Sequence, residues 1–271
     1  MESAPRDPLG EALKGGRTSL GLILNDVYMV DLAAHMGWDW FMIDQMFTPH
    51  DWSRADELLR AGEAAGITPV LRVQSNPWIG YDPRIAVDVT RALGIGFQYV
   101  FVSNSGIREI EDCAKVSHDW HRKALWVHPF DAVEEWEPTI AKMANRTQII
   151  PQPESRGALD DIPAMLDLPE VSIIQFAMTD ASKAIAGADK PDWYDPRLWA
   201  IVDETVKKAN SLGKFVGANT SYGYDMDEYS KRIVRLHSHG VRVIMVQGAF
   251  HLFQVAIGGW FKEVRSALDL K

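Results

Sequence analysis

Short apolar, β-branched or aromatic runs recur along the chain: SLGLIL (19–24), WDWFMID (38–44), TPVLRV (68–73), FQYVFVS (97–103), ALWVH (124–128), TQIIPQPE (147–154), VSIIQFA (171–177), KFVGAN (214–219) and VRVIMVQG (241–248). Nearly all are too short for helices and too uniformly apolar for half-exposed strands, so they predict parallel strands covered on both faces. Between them lie segments of helical periodicity, among them SRADELLRAGEAAG (53–66), PRIAVDVTRALG (83–94), RLWAIVDETVKKANSLG (197–213) and DEYSKRIVRLHSHG (227–240), and each of these four ends in glycine. Glycine is the usual residue just past a helix C-terminus. Regular alternation of strand and helix over 271 residues predicts one (β/α)8 TIM barrel. Nine runs are one too many, and ALWVH, in the least regular stretch, is read as the surplus. The polar segment ASKAIAGADKPDWYDP (181–196) reads as a loop over one mouth of the barrel. A doubly wound open sheet would usually carry a glycine-rich phosphate loop after an early strand, and no GxGxxG, GxxxxGK(S/T) or GxSxG motif occurs.

Composition narrows the function more than the fold. Lys and Arg number 28 against 37 Asp and Glu, a formal charge of −9, and 46% of residues are hydrophobic. This balance gives no net attraction to nucleic acid or anionic lipid. The one cysteine, Cys113, has no partner for an internal disulfide, and its neighbours Glu111 and Asp112 disfavour a thiolate. The N-terminal sequence has no apolar stretch of signal-peptide length, and no apolar run is long enough to span a bilayer. The expectation is a cytoplasmic, single-domain protein over 1–271.

Barrel active sites are built where strands end at their C-terminal side. Asp44 closes WFMID, Arg72 lies near the end of TPVLRV, Gln152 and Glu154 close TQIIPQPE, and Asp180 follows VSIIQFA by three residues. Carboxylates at strand ends, away from thiols and most histidines, suit a hard divalent cation such as Mg²⁺ or Mn²⁺, and Glu154 with Asp180 fit that role. The same residues equally suit structural salt bridges, and spacing alone does not separate the two. His118 and His121 have HxxH spacing amid solvated neighbours. His237 and His239 stand at a helix end, where dipole effects account for them. Trp78 and Trp193 fall in expected loops, where aromatic rings are available to a ligand.

Three stretches carry a resemblance. DLAAHMGWDWFMIDQMFTP (31–49), TPVLRVQSNPW (68–78) and IIPQPESRGALDDIPAMLDLPEVSIIQFAMTDAS (149–182) resemble segments of the HpcH/HpaI family of class II, metal-dependent 2-oxo acid (pyruvate) aldolases, in the pyruvate and phosphoenolpyruvate barrel superfamily. The resemblance implies Glu154 and Asp180 as ligands of Mg²⁺, Mn²⁺ or Co²⁺, and Arg72 as the group holding the oxo and enolate oxygen. It implies Gln152 as a lining residue and the backbone at Ala177, Met178 and Thr179 as the carboxylate cradle, with Asp44 in an acid/base cluster. It also implies a hexamer, a trimer of dimers, in which the C-terminal helix (250–271) exchanges between subunits.

Two departures mark the chain as divergent. The glutamate and histidine of the family's D-x-E-H motif are Met46 and Phe47, and where the family has P-P-x-G-x-R-G this chain reads ALWVHPFDAVEEW. The usual proton-transfer histidine is therefore absent. His50 is the expected replacement base, with His128 as the alternative. The implied activity is carbon–carbon lyase chemistry of the aldolase type on a 2-oxo acid, through a metal-stabilised enolate. Met46, Phe47, Trp52 and Trp78 suit an aromatic or hydrophobic aldehyde partner. Decarboxylation of an oxaloacetate-like acid, which needs no base at a hydroxyl, is the alternative, and a non-catalytic relative that only binds a 2-oxo acid is the third.

Overall fold

In the computed structural model, residues 6–48, 51–73, 81–123, 147–187, 191–221 and 225–268 are described, with side chains in the fifth helix described to 117. Eight parallel strands form one sheet: β1 (Ser19–Ile23), β2 (Trp40–Asp44), β3 (Thr68–Arg72), β4 (Tyr99–Ser103), β5 (Gln148–Gln152), β6 (Ile173–Phe176), β7 (Phe215–Asn219) and β8 (Val243–Gly248). Their order, β5-β4-β3-β2-β1-β8-β7-β6, brings the two ends of the sheet side by side. The eight strands fall on eight of the nine apolar runs. ALWVH lies outside the described residues.

Among the described residues the helices are α1 (Pro8–Lys14), α2 (Val27–His35), α3 (Trp52–Ala65), α4 (Arg84–Ile95), α5 (Ile107–Lys123), α6 (Arg156–Asp160), α7 (Ile162–Asp167), α8 (Met178–Ala186), α9 (Pro196–Ser211), α10 (Met226–Ser238) and α11 (Ala249–Ala267). Asp51 caps α3 by accepting from Arg54 N at 2.8 Å, and Gly66 ends it at φ +74°, a conformation that costs other residues more. The expected loop at 181–196 is corrected in its first part, because Ala181–Ala186 continue α8. Ala181 and Ser182 are buried against the barrel, and that packing outweighs the polar composition of the stretch.

Strand alternation sorts the core into two. Phe41, Ile43, Leu71, Val100, Val102, Ile149, Ile174, Phe176, Val216 and Ile244 face the helices. Trp40, Met42, Val70, Tyr99, Phe101, Ile150, Ile173, Val243 and Met245 fill the barrel, as period-two side chains require. Leu9 and Leu13 of α1 join this inner cluster. Helix α1 is tied to the barrel by Leu9 N donating to Thr68 Oγ1 (3.1 Å) and Tyr99 OH donating to Asp7 (2.8 Å). Gly21 leaves room for the Trp40 indole, since a Cβ there would lie 2.2 Å from the ring, and Gly217 does the same for the amide of Gln175.

The β5/β6 seam has a cause in the sequence. Gln148 N donates to Gln98 O toward β4, while Ile149 N donates to Glu170 O toward the β6 side. Alternate residues of a parallel strand donate to opposite neighbours, so the next donors on the β6 edge would be residues 151 and 153. Both are proline and have no N–H.

Candidate active site

Continuing the inward alternation by one step, from Met42, Val70, Phe101, Ile150 and Gly217, brings Asp44, Arg72, Ser103, Gln152 and Asn219 to the C-terminal mouth. Asp44, Arg72, Ser103 and Gln152 each reach the rim because an apolar side chain two positions earlier is anchored inside, and Asn219 follows Gly217 in the same alternation. Sequence reasoning missed Ser103 and Asn219, although FQYVFVS and KFVGAN end in these residues and the strand-end rule applied to them equally.

Asp44 and Arg72 form a buried ion pair, each less than a tenth exposed. Arg72 donates from Nε to Asp44 Oδ1 at 2.9 Å and from Nη2 to Oδ2 at 2.5 Å. The parallel register sets Asp44 directly opposite Arg72. Asp44 also organises the turn beyond β2: its Oδ1 accepts from Met46 N (2.9 Å) and Phe47 N (3.4 Å), and its carbonyl accepts from Thr48 Oγ1. Such side-chain-to-backbone bonds are the usual work of aspartate in turns. Phe47 is held with its ring 5.0 Å from the Arg72 guanidinium yet stays 73% exposed. Nη1 of Arg72 lies outside the bidentate pair.

Gln152 is buried and accepts from Ser103 Oγ at 2.6 Å. Glu154, two residues on, is partly buried. Its carboxyl is pushed up to about 7, first by burial and then by the Asp180 charge, with Arg72 pulling the other way. Asp180 lies in the first turn of α8, half exposed, with Lys183 Nζ at 3.5 Å. Glu154, Asp180 and Arg72 thus share one electrostatic environment. Gln152 lies two residues before Glu154 on the same strand end. Among the described residues, no hydrogen bond or ion pair engages the Glu154 carboxyl, and no group of three His, Cys, Asp or Glu side chains is gathered for a metal. Two carboxylates with water and substrate completing the shell nevertheless meet the needs of a Mg²⁺-like ion. A cation held by these carboxylates would offset both the burial and the Asp180 charge that raise Glu154.

Ala177 precedes α8 and offers no side-chain cap. The Met178 amide, expected to face a carboxylate, donates instead to Asn219 Oδ1 at 3.1 Å. Thr179 and Asp180 follow in the first turn, where amides have no intrahelical acceptor. His50 and Trp78 lie outside the described residues, as do His128 and the side chains of His118 and His121.

Trp193 is corrected from ligand candidate to core residue. It is 5% exposed and packs edge-on to Trp199, which donates from Nε1 to its carbonyl at 2.9 Å. Trp52 likewise packs against the outer core with Arg91 over its ring. His237 Nδ1 pairs with Thr18 Oγ1 at 2.7 Å and His239 Nδ1 with Asp203 at 2.6 Å, in keeping with structural roles. Cys113 is buried, and burial followed by Asp112 and Glu109 pushes its thiol far up.

Comparison with known proteins agrees with the resemblance carried by the sequence. No protein-family profile matches the chain. The 2-keto-3-deoxy-L-rhamnonate aldolase of Escherichia coli K12 is 23% identical over 231 residues, covering 80% of each protein. The crystal structure of an HpcH/HpaI aldolase from Desulfitobacterium hafniense DCB-2 superposes with a TM-score of 0.75 at 18% identity, covering 95% of this chain and 96% of that one. That of the citrate synthase SbnG gives 0.73 at 19% identity, with 96% and 98% covered.

Proposed function

Taking the chain as a divergent relative of the HpcH/HpaI aldolases, we propose that it is a lyase of the aldolase type, making or breaking a carbon–carbon bond beside a 2-oxo acid through an enolate. The observation that carries this reading is the Glu154 carboxyl, partly buried beside Asp180 and pushed up to about 7. Burial of a carboxylate without a partner among the described residues is costly, and a perturbed carboxyl at a barrel mouth is a candidate for a working site.

Glu154 and Asp180 would hold Mg²⁺, Mn²⁺ or Co²⁺. Such an ion supplies positive charge against the oxygen on which charge accumulates as the bond is made or broken. Arg72 directs its Nη1 side to that same oxygen, and Asp44 orients the guanidinium by fixing its Nε–Nη2 edge. Gln152, with its Oε1 bonded to Ser103, turns its amide toward the substrate. The first turn of α8, at Ala177 and Thr179 with the Met178 amide held by Asn219, receives the substrate carboxylate at its positive end. Phe47, exposed over Arg72, makes the entrance apolar, which favours an aromatic or hydrophobic aldehyde. His50 supplies the base for the aldol hydroxyl.

Decarboxylation of an oxaloacetate-like acid is the second reading, and Phe47 specifically favours it. The ring occupies the position at which the resemblance implies a histidine, and loss of a general base commonly costs about 10² to 10⁴-fold in a step that requires it. Decarboxylation reaches the enolate without removing a hydroxyl proton. Product analysis by NMR with pyruvate plus aldehydes, and separately with oxaloacetate, with and without chelator, tests both. Metal-dependent turnover of the aldol mixture supports the first reading, and turnover of oxaloacetate alone supports the second. Failure of both leaves a protein that only binds.

Helix α11 supports a homo-oligomer, with the hexamer built from dimers as the form implied by resemblance. It has no buried residue, and Phe250, Phe253, Ile257, Trp260 and Phe261 are exposed at helical spacing, as are Tyr28, Met29 and Leu32 on α2 and Met36 at its C-cap. Exchange of α11 between subunits would cover such surface. None of the described helices is long and apolar enough to cross a membrane, and the lone, buried Cys113 suits a cytoplasmic location.

A further inference from the structure

We propose that Asn219 is a positioning residue for the substrate carboxylate: a neutral cap, supplied by β7, that fixes the first turn of α8 while leaving its positive end to an anionic ligand. The inference rests on the function proposed above. Helices are ordinarily capped by the side chain just before them, as Asp51 caps α3 and Asp225 caps α10. Helix α8 departs from this, because Ala177 has nothing to offer and Met178 N donates across to Asn219 Oδ1 at 3.1 Å. The start of α8, which carries Asp180, is thereby tied to the barrel rim.

The carbonyl of Asn219 is itself held in place. Ser221 Oγ donates to the same Oδ1 at 3.2 Å, from a residue with φ +58° that is 7% exposed. A left-handed serine is uncommon and persists where its surroundings hold it. Thr220 between them donates its hydroxyl to Val246 O and accepts at its carbonyl from Arg232 Nη1 at 2.8 Å. Arg232 Nε is anchored by Glu228 at 2.8 Å, which also accepts from Tyr194 OH at 2.9 Å. The end of β7 is therefore fixed from three sides. Its cap is an amide in a chain whose caps on α1, α2, α3 and α10 are aspartates. Aspartate would cap at least as well, but it would place a negative charge where an anion is to bind.

The test compares Asn219→Asp and Asn219→Ala with the wild-type protein by calorimetric titration with pyruvate in the presence of Mn²⁺, and by thermal melting. Asn219→Asp keeps the acceptor and nearly the same shape, so its melting temperature should stay at or above the wild-type value while pyruvate affinity falls about tenfold. Asn219→Ala should lower affinity by a similar factor with only a small loss of stability. A purely structural cap predicts that affinity follows stability, so an Asn219→Asp protein binding pyruvate as tightly as wild type would overturn the inference. Because that variant is nearly isosteric, the test survives if Asn219→Ala fails to fold. A wild-type protein that does not bind pyruvate would instead overturn the function on which the inference rests.

Discussion

Replacing Glu154 by glutamine tests the site through stability alone, with no substrate required. In the metal-free protein the Glu154 carboxyl is pushed up from an ordinary 4.5 to about 7, first by burial and second by Asp180. Between those two values the folded protein binds more protons than the unfolded chain, so the contribution of Glu154 is fully present below 4.5. It is lost as pH rises through 7. At about 1.4 kcal/mol per tenfold change in proton affinity, the difference amounts to about 3 kcal/mol. The assay is urea denaturation in chelator at pH 5 and pH 8 for the wild-type protein and Glu154→Gln. The wild type should lose up to about 3 kcal/mol more than the variant across that interval, and Mn²⁺ at pH 8 should restore stability to the wild type alone. Identical pH slopes in the two proteins would refute the argument, because they would mean that Glu154 ionises at its ordinary value and is neither desolvated nor crowded by Asp180.

Three further outcomes follow from the geometry. Asp44→Ala should destabilise by about 3 to 5 kcal/mol by leaving the Arg72 guanidinium buried without its partner, whereas Arg72→Lys should largely fold but lose activity with the planar fork. Full turnover by Arg72→Lys would return this pair to a structural role. Gly21→Ala should cost about 1 to 3 kcal/mol by denaturation because its Cβ would meet the Trp40 ring. Relief of that cost in a Gly21→Ala, Trp40→Leu double variant would assign it to the contact, and strict additivity would exclude it. Phe253→Glu with Trp260→Glu should lower the sedimenting mass by breaking subunit association while the isolated barrel stays folded, and an unchanged mass would show that α11 does not mediate assembly.

The barrel was legible because its signal is redundant. Each strand buried on both faces reads as a continuous apolar run, and eight such runs separated by amphipathic helices admit few other arrangements. Composition misleads where packing decides. The stretch beginning at Ala181 is polar and rich in Gly, Pro and Asp beyond residue 186, yet its first six residues are helical because Ala181 and Ser182 pack inward. Trp193, flanked by Asp192 and Tyr194, looked exposed for the same reason, although Trp199 and Arg232 on α9 and α10 cover it. Trp199 is six residues away, but Arg232 comes from a distant helix that no local window contains.

The site was legible residue by residue but not in its pairing. Spacing left Asp44, Arg72, Glu154 and Asp180 equally suited to salt bridges or to a metal, because a sequence records which charges reach the rim and not which of them meet. The strand register shows which of them meet. Asp44 stands directly opposite Arg72 and takes its Nε and Nη2 donors, leaving Glu154 without a paired cation among the described residues. If the rim carboxylates served only to neutralise Arg72, Asp44 would suffice, and a second, desolvated carboxyl beside Asp180 would only lower stability at neutral pH. A group that costs stability in the resting protein is best understood by what it binds, and two carboxylates that repel one another support the cation proposed for this site.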